Sequence, residues 1–202
     1  MAAQVREDLL TAALAVFERD GFEGATVAAI RTRAGASNGS FFHFFASKKE
    51  LAATLFLETL GHYHAAILGA VSPGLSAEEG IDRLIRAHLN FVVERRREAR
   101  YLFEISRGGL TEELREQQRA LNARLAESIE RWRTPLLERG DLLPMPQAVF
   151  ASQIIGPAQI FCRAFLSGRE HGDPRVHAEA LVDCALRAVS PAKEAQRPPL
   201  TG

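Results

Sequence analysis

Cysteine is scarce in this sequence: Cys162 and Cys184 are the only two in 202 residues. Both fall in segments of helical pattern, with no second pair and no matching histidine motif, which excludes a disulfide framework and a zinc finger. Two buried free thiols in a reducing compartment are the expectation. Apolar runs of membrane-spanning length are missing too. The N-terminus, MAAQVREDLL, puts Arg6, Glu7 and Asp8 where a leader needs an apolar core. No signal peptide, no membrane partner and a cytoplasmic location are therefore expected. Net charge is absent, with 25 Lys+Arg against 25 Asp+Glu; this excludes a uniformly basic nucleic-acid coat and leaves a local patch open. Strand alternation is lacking, and the Asn38-Gly39 pair precedes a helical pattern rather than joining two strands. Also missing are a metal-spaced histidine pair, a glycine-rich phosphate loop and a nucleophile-elbow serine. His62 and His64 lie two apart on a helix and point roughly 200° apart, so they share no metal. No enzyme activity, no cofactor and no metal are expected.

What is present is helix, in two parts. Helix one covers residues 4–19, with Leu10, Leu14 and Phe17 as its apolar stripe and Gly21 closing it. Thr26 caps helix two, which turns Val27 and Ile30 inward and stops at Gly35; Ser37 caps a short third helix. Ser47 with Glu50 forms a capping box that opens a fourth helix, 47–70. After Ser72-Pro73-Gly74, a second box, Ser76 with Glu79, opens a helix to residue 94. A shorter helix is predicted over 98–106, ahead of Gly108-Gly109. A long charged one then starts at Thr111 and runs to 133, where Pro135 bends or ends it. The apolar segment 147–166 is predicted to break at Gly156-Pro157. Asp173-Pro174 opens a last helix ending near Val189. The prediction is an all-α chain of about nine helices. Residues 1–50 form a three-helix unit joined through helix four, 51–190 form a larger helical unit, and 191–202 are a disordered tail.

The stretch ASNGSFFHFFASKKEL concentrates four phenylalanines in five positions. On a wheel of about 100° per residue, Phe41, Phe44 and Phe45 share a face and Phe42 lies at its edge. His43 points the other way, with Gly39 and Ser40 beside it. Helix two, a tight turn at Ala34-Gly35-Ala36 and the short helix have helix-turn-helix spacing. From Gly24 through Lys49 there is no Asp or Glu, whereas Arg31, Arg33, Lys48 and Lys49 are all present. A phosphate backbone asks for that local sign. The helix N-terminus favours phosphate oxygens, and Gly39 lets the backbone approach a duplex. Ser37, Asn38, Ser40 and His43 carry short donors and acceptors for base edges or phosphates. The phenylalanines anchor a helix too short to persist alone, each contributing roughly 1.5–3 kcal/mol when buried.

These residues resemble the TetR family of bacterial transcriptional regulators. The resemblance rests on Gly21-Phe22, on Thr26-Val27, and on AGASNGSFFHFFASKKEL, which is similar to the family pattern AGVSKGTLYYHFPSKEEL; it covers residues 4–60. It implies a helix-turn-helix reader followed by a divergent ligand-binding and dimerisation domain. It further implies that Thr26, Ser37, Asn38, Gly39, Ser40, His43 and Lys48 occupy DNA-contact positions. The chain departs from the pattern at Phe42. Members commonly have a tyrosine there whose hydroxyl meets a phosphate, so a backbone contact from Phe42 rests on its ring alone.

Helix-turn-helix readers bind as dimers because two half-sites multiply affinity. Ile155, Ala158, Cys162 and Phe165, with Val176, Ala180, Cys184 and Ala188, recur at helical spacing and form the candidate homodimer face, a four-helix bundle across a twofold axis. His64, Phe91, Phe103, Trp132 and Phe161 are the candidate lining of an effector pocket. By resemblance the effector is a small, apolar or amphipathic molecule that releases a repressor from operator DNA. Such release requires roughly 3–5 kcal/mol of preference for the non-DNA state. The competing class is a helical interaction module without specific DNA binding, which lacks strong, salt-dependent affinity for a particular duplex.

Overall fold

Capping side chains set most of the helix starts. Thr26 Oγ1 accepts from the Ala29 amide ahead of α2 (Val27–Ala34), and Ser37 Oγ accepts from Ser40 ahead of α3 (Asn38–Phe44). Ser47 accepts from Glu50 ahead of α4 (Lys48–Leu68), whereas the Glu50 carboxylate reaches back one residue further, to the Ala46 amide. Ser76 and Glu79 make the full reciprocal box that opens α5 (Ala77–Glu94). Between α2 and α3, Gly35 sits at φ 64° and receives the chain out of α2 in the left-handed conformation that a side chain resists.

The computed structural model describes residues 2–105 and 112–192, and within them the chain is helical without a strand. The described residues hold ten α-helices where about nine are expected. The differences are local. The first helix, α1 (Ala2–Gly24), is two helical pieces that meet at Gly21, whose φ of 69° and ψ of 174° are not helical; the glycine ends the first piece as expected, and a short second piece follows it. In place of one helix over 98–106, α6 (Arg96–Arg100) runs directly into a π-helix, Tyr101–Ile105. Pro135 neither ends nor begins an element and lies inside α7 (Glu112–Glu138). Pro157 likewise sits inside α8 (Gln147–Phe161), and the break comes at Cys162, before α9 (Arg163–Leu166). Asp173 caps as expected, but Pro174 opens a 3-10 turn, Pro174–His177, which leads into α10 (Ala178–Val189). The predicted Gly108-Gly109 break, the Thr111 start and all but the first two residues of the tail lie outside the described residues.

Two hydrophobic clusters share α4. The first gathers Leu9, Leu10, Ala13, Val16 and Phe17 of α1 with Ile30, Phe41, Phe45, Leu51, Leu55, Phe56 and Leu60. The second starts at Tyr63 and runs through Ile81, Leu84, Ile85, Leu89 and Phe91 of α5 to Trp132, Phe150, Ile154, Cys162 and Val182. The change of cluster falls between Leu60 and Tyr63, within one helix. The π-helix crosses it: Leu102 packs against both clusters, and Tyr101 is buried in the first, where it stacks on Phe17 at 5.8 Å and donates a 2.8 Å hydrogen bond to the Ala52 carbonyl. Ion pairs reinforce the seam, with Arg97 and Arg100 of α6 both reaching Glu18 of α1. The neighbouring Arg95 and Arg96 are exposed, as Arg97 is: Arg95, the N-cap of α6, pairs with Glu98 of that helix, whereas Arg96 donates to the Phe165 carbonyl and lies over that ring.

The last helices correct the sequence reading of their surface. Ala158 and Cys162 have no exposed area and belong to the core of the single chain. The stripe they mark faces inward, a distinction that periodicity cannot make on a helix apolar all round. Cys184 is exposed, on the outer face of α10, so only one of the two thiols is buried.

Candidate nucleic-acid interface

The candidate interface is built on α3. Phe41 and Phe45 are buried against Phe17, Ile30 and α4, and Phe44 is half-buried with the His43 ring edge-on to it at 4.8 Å. Phe45 has left the helix: as the C-cap it is extended, with φ −140°, which turns its ring back to the core. With that side fixed, Asn38, Gly39, Phe42 and His43 face solvent. Phe42 is 52% exposed and held edge-on to Phe41 at 5.2 Å, an apolar ring presented outward on a polar face.

The two serines are coupled. Ser37 Oγ lies 2.8 Å from Ser40 Oγ while accepting from the Ser40 amide at 3.0 Å. One of the two hydroxyls therefore donates to the other, leaving the other free to donate outward. Gly39 has no atom closer to a built Cβ than Ser37 Oγ at 3.8 Å, so nothing inside the chain requires glycine there. Thr26 is exposed at the start of α2, as is Arg33 near its end. Arg31 is half-buried, and its Nε has no partner among the described residues.

Lys48 is placed differently from its neighbours. Its ammonium donates to the carbonyls of Phe22 (2.7 Å), Ala25 (2.8 Å) and Glu23 (3.4 Å) and sits 4.5 Å from the centre of the Phe22 ring. Three donors meet three acceptors, all within the chain. An open groove of about 450 Å³ lined by Asp8, Thr11, Ala12, Arg33 and Ala34 lies between α1 and α2.

The five residues expected around an effector separate into three places. Phe91 and Phe103 both pack edge-on to Tyr63, at 5.1 and 5.3 Å. His64 is buried, and burial pulls its pKa below the ordinary value against a backbone hydrogen bond to Leu121. Trp132 is core further along: it donates to the Leu75 carbonyl, tilts against Phe150 and covers Gly80. Phe161 is at the surface, beside His177. Sequence reasoning missed His88, which is fully buried and 3.0 Å from the Tyr63 hydroxyl; its position on the inward stripe of α5 is the signal that marks it. His62 is exposed and paired with Glu98. Among the described residues no group of three or more His, Cys, Asp or Glu gathers closely enough to hold a metal ion. No described helix is long and apolar enough to cross a membrane.

Comparison with known proteins agrees with this geometry. Residues 9–55 match the family described as bacterial regulatory proteins, tetR family. No curated protein matches the chain. Among solved structures, the chain is similar to a bacterial regulatory protein in the tetR family from Rhodococcus RHA1, with 23% identity and a TM-score of 0.80 over 94% of this chain and 98% of that one. A TetR family transcription regulator from Marinobacter aquaeolei VT8 has 21% identity and a TM-score of 0.76 over 93% and 96% of the two chains. The regulator FadR from Bacillus subtilis, in complex with stearoyl-CoA, has 16% identity and a TM-score of 0.76 over 89% and 97%.

Proposed function

We propose, on the premise that residues 9–55 carry the N-terminal domain of the tetR family of bacterial regulatory proteins, that this chain is a sequence-specific transcriptional regulator. It acts as a dimeric repressor, released from operator DNA by a small molecule. The observation that carries the reading is α3 itself. Its aromatic side is locked into the core, and its outer side presents Asn38, Gly39, Ser40, Phe42 and His43 from a segment, 24–49, without a single acid. Thr26 and Ser37 cap their helices and border the same face. A rigid, locally cationic surface with short donors and acceptors is what major-groove reading requires.

The reader unit extends along α4 as far as Leu60, the last residue of that helix buried in its cluster, and the effector and dimer unit takes over α4 at Tyr63. Exposed apolar residues support a dimer through α8 and α10. Val149 and Ile160, eleven positions apart, fall on one line of α8. Phe161 meets His177 at the adjoining 3-10 turn, where Val176 is 77% exposed, and Ala180 and Cys184 continue outward along α10. Small residues on that path, Gly156 and Ala180, permit close helix approach. The binding of stearoyl-CoA by a protein of this fold supports an apolar or amphipathic effector.

Fluorescence anisotropy with duplexes tiling the DNA around the protein's own gene, at several salt concentrations, tests the reading. The expected result is one competitor-resistant site, weakened at least tenfold by a Ser40→Ala/His43→Ala double substitution. Weak binding to every duplex, falling steeply with salt and indifferent to the substitutions, would replace it with a helical interaction module bearing a basic patch.

A further inference from the structure

The Tyr63–His88 pair is a polar island in the second hydrophobic cluster. Tyr63 comes from α4 and His88 from α5, and the hydroxyl meets His88 Nδ1 at 3.0 Å. Phe91 packs edge-on to Tyr63, and Phe103 of the π-helix packs against both rings, at 5.3 Å from Tyr63 and 5.7 Å from His88. His88 has no exposed area, and its Nε2 has no hydrogen-bond partner among the described residues. Buried polar atoms are almost always satisfied, and one left alone costs roughly 1–3 kcal/mol.

The pair's own chemistry decides what is missing. If His88 carried its proton on Nδ1, it would donate to Tyr63, and both the phenolic proton and the Nε2 lone pair would lack partners. If the proton is on Nε2, Tyr63 donates to Nδ1 and a single group is unsatisfied, the Nε2–H donor. The second arrangement leaves fewer orphans and is favoured. Burial keeps both rings neutral: it pushes the His88 pKa down to about 4 and raises that of Tyr63, with the nearby Cys162 adding to the rise.

We propose that the Tyr63–His88 pair is the polar anchor of the effector site, with His88 Nε2–H donating to an oxygen acceptor, a carbonyl or carboxylate, at the end of an otherwise apolar molecule. The inference rests on the regulator reading above and deepens it by naming the recognised group. Tyr63, Phe91 and Phe103 supply the apolar walls, and of these only Phe103 is partly exposed, which makes it the ring a ligand displaces. Displacing it bears on the reader directly. Two residues earlier, Tyr101 of the same π-helix stacks on Phe17 and holds the Ala52 carbonyl. Departures from α-helical hydrogen bonding of this kind recur at functional sites.

The test uses the full chain, free of DNA, with calorimetric titration of three probes sharing a similar tail: decanoate, methyl nonyl ketone and decylammonium. The first two carry an oxygen acceptor; the third carries donors only. Wild type is expected to bind decanoate and the ketone. His88→Phe is expected to weaken decanoate by roughly ten- to a hundredfold and the ketone by roughly tenfold. Decylammonium is expected to bind weakly and indifferently to the substitution. Operator affinity of each variant without probe is measured alongside. Absence of operator binding in wild type overturns the regulator reading; intact operator binding with equal probe affinities in wild type and His88→Phe overturns the anchor alone, as does failure of every probe to bind. If His88→Phe fails to fold, Tyr63→Phe and nitrogen-15 imidazole spectra of wild type take its place. The expected spectrum is an Nε2–H tautomer whose proton shifts downfield with decanoate. An Nδ1–H tautomer, or an Nε2 proton that decanoate leaves unmoved because a resident water holds it, sinks the proposal.

Discussion

A Cβ built on Gly80 overlaps Cζ2 and Cε2 of Trp132, in a cluster where the indole is held by a hydrogen bond to the Leu75 carbonyl. The ring has nowhere to yield, so Gly80→Ala is expected to destabilise the fold by about 3 kcal/mol, the upper range for an overpacked core. Gly39 is the opposite case. Its nearest atom to a built Cβ is Ser37 Oγ at 3.8 Å, an ordinary contact, and its φ is not left-handed. Alanine there removes a glycine from the first turn of α3 and should leave stability unchanged or raise it by about 0.5 kcal/mol. If the glycine serves DNA, the same substitution should cost roughly tenfold in operator affinity, the scale of one lost contact. Chemical denaturation and anisotropy on both variants separate the two uses. Unchanged operator binding by Gly39→Ala would remove close backbone approach from the mechanism.

Between elements, Lys48 acts as a clasp from the first turn of α4 to the end of α1 and the loop that follows. The resemblance places a DNA contact at this position, yet the ammonium is surrounded by three carbonyls and a ring of its own chain. Lys48→Met should therefore destabilise the reader by roughly 1.5–3 kcal/mol, the worth of hydrogen bonds to a charged group. The slope of log affinity against log salt should stay the same. A phosphate contact predicts the reverse, a slope shallower by about one with little loss of stability. Local chemistry made much of this legible beforehand: Thr26, Gly35, Ser37, Ser47 and Ser76 each act within a turn of their own position, where capping rules apply. Longer-range facts were not legible. Which stripe of α8 faces inward depends on what α5 and α10 present to it, so Ala158 and Cys162 went to the wrong surface. Pro135 and Pro157 break helices by local rules, and tertiary packing overrode both. The His88–Tyr63 pair depends on a partner 25 residues away in sequence and the Tyr101–Ala52 hydrogen bond of the π-helix on one 49 away, both beyond the reach of any local pattern.

Stability and assembly belong to the whole molecule. His88 is held neutral, its pKa lowered from 6.5 to about 4, and His64 is shifted in the same direction, in each case first by burial. The unfolded chain binds protons that the folded chain refuses. Stability is therefore full above the unfolded value and is lost as pH falls through the window from 6.5 to about 4. His88 alone accounts for about 3 kcal/mol across it. Denaturation curves at stepped pH should show that slope in wild type and a shallower one in His88→Phe; parallel slopes would mean the imidazole is not buried neutral. Assembly turns on the outer line of α8. Ile160 is 62% exposed in the single chain, whereas Ala158, two residues before it, has no exposed area. Ile160→Asp should accordingly leave the chain folded, lower the melting temperature only by the linkage lost with the dimer, and convert the protein to monomer in sedimentation velocity. It should also lower operator affinity by roughly a hundredfold or more, because the second half-site contact is no longer intramolecular. Ala158→Asp should unfold the chain instead, since it buries an unpaired carboxylate. A fully dimeric Ile160→Asp would move the twofold contact off this face, and with it the spacing at which two copies of α3 meet DNA.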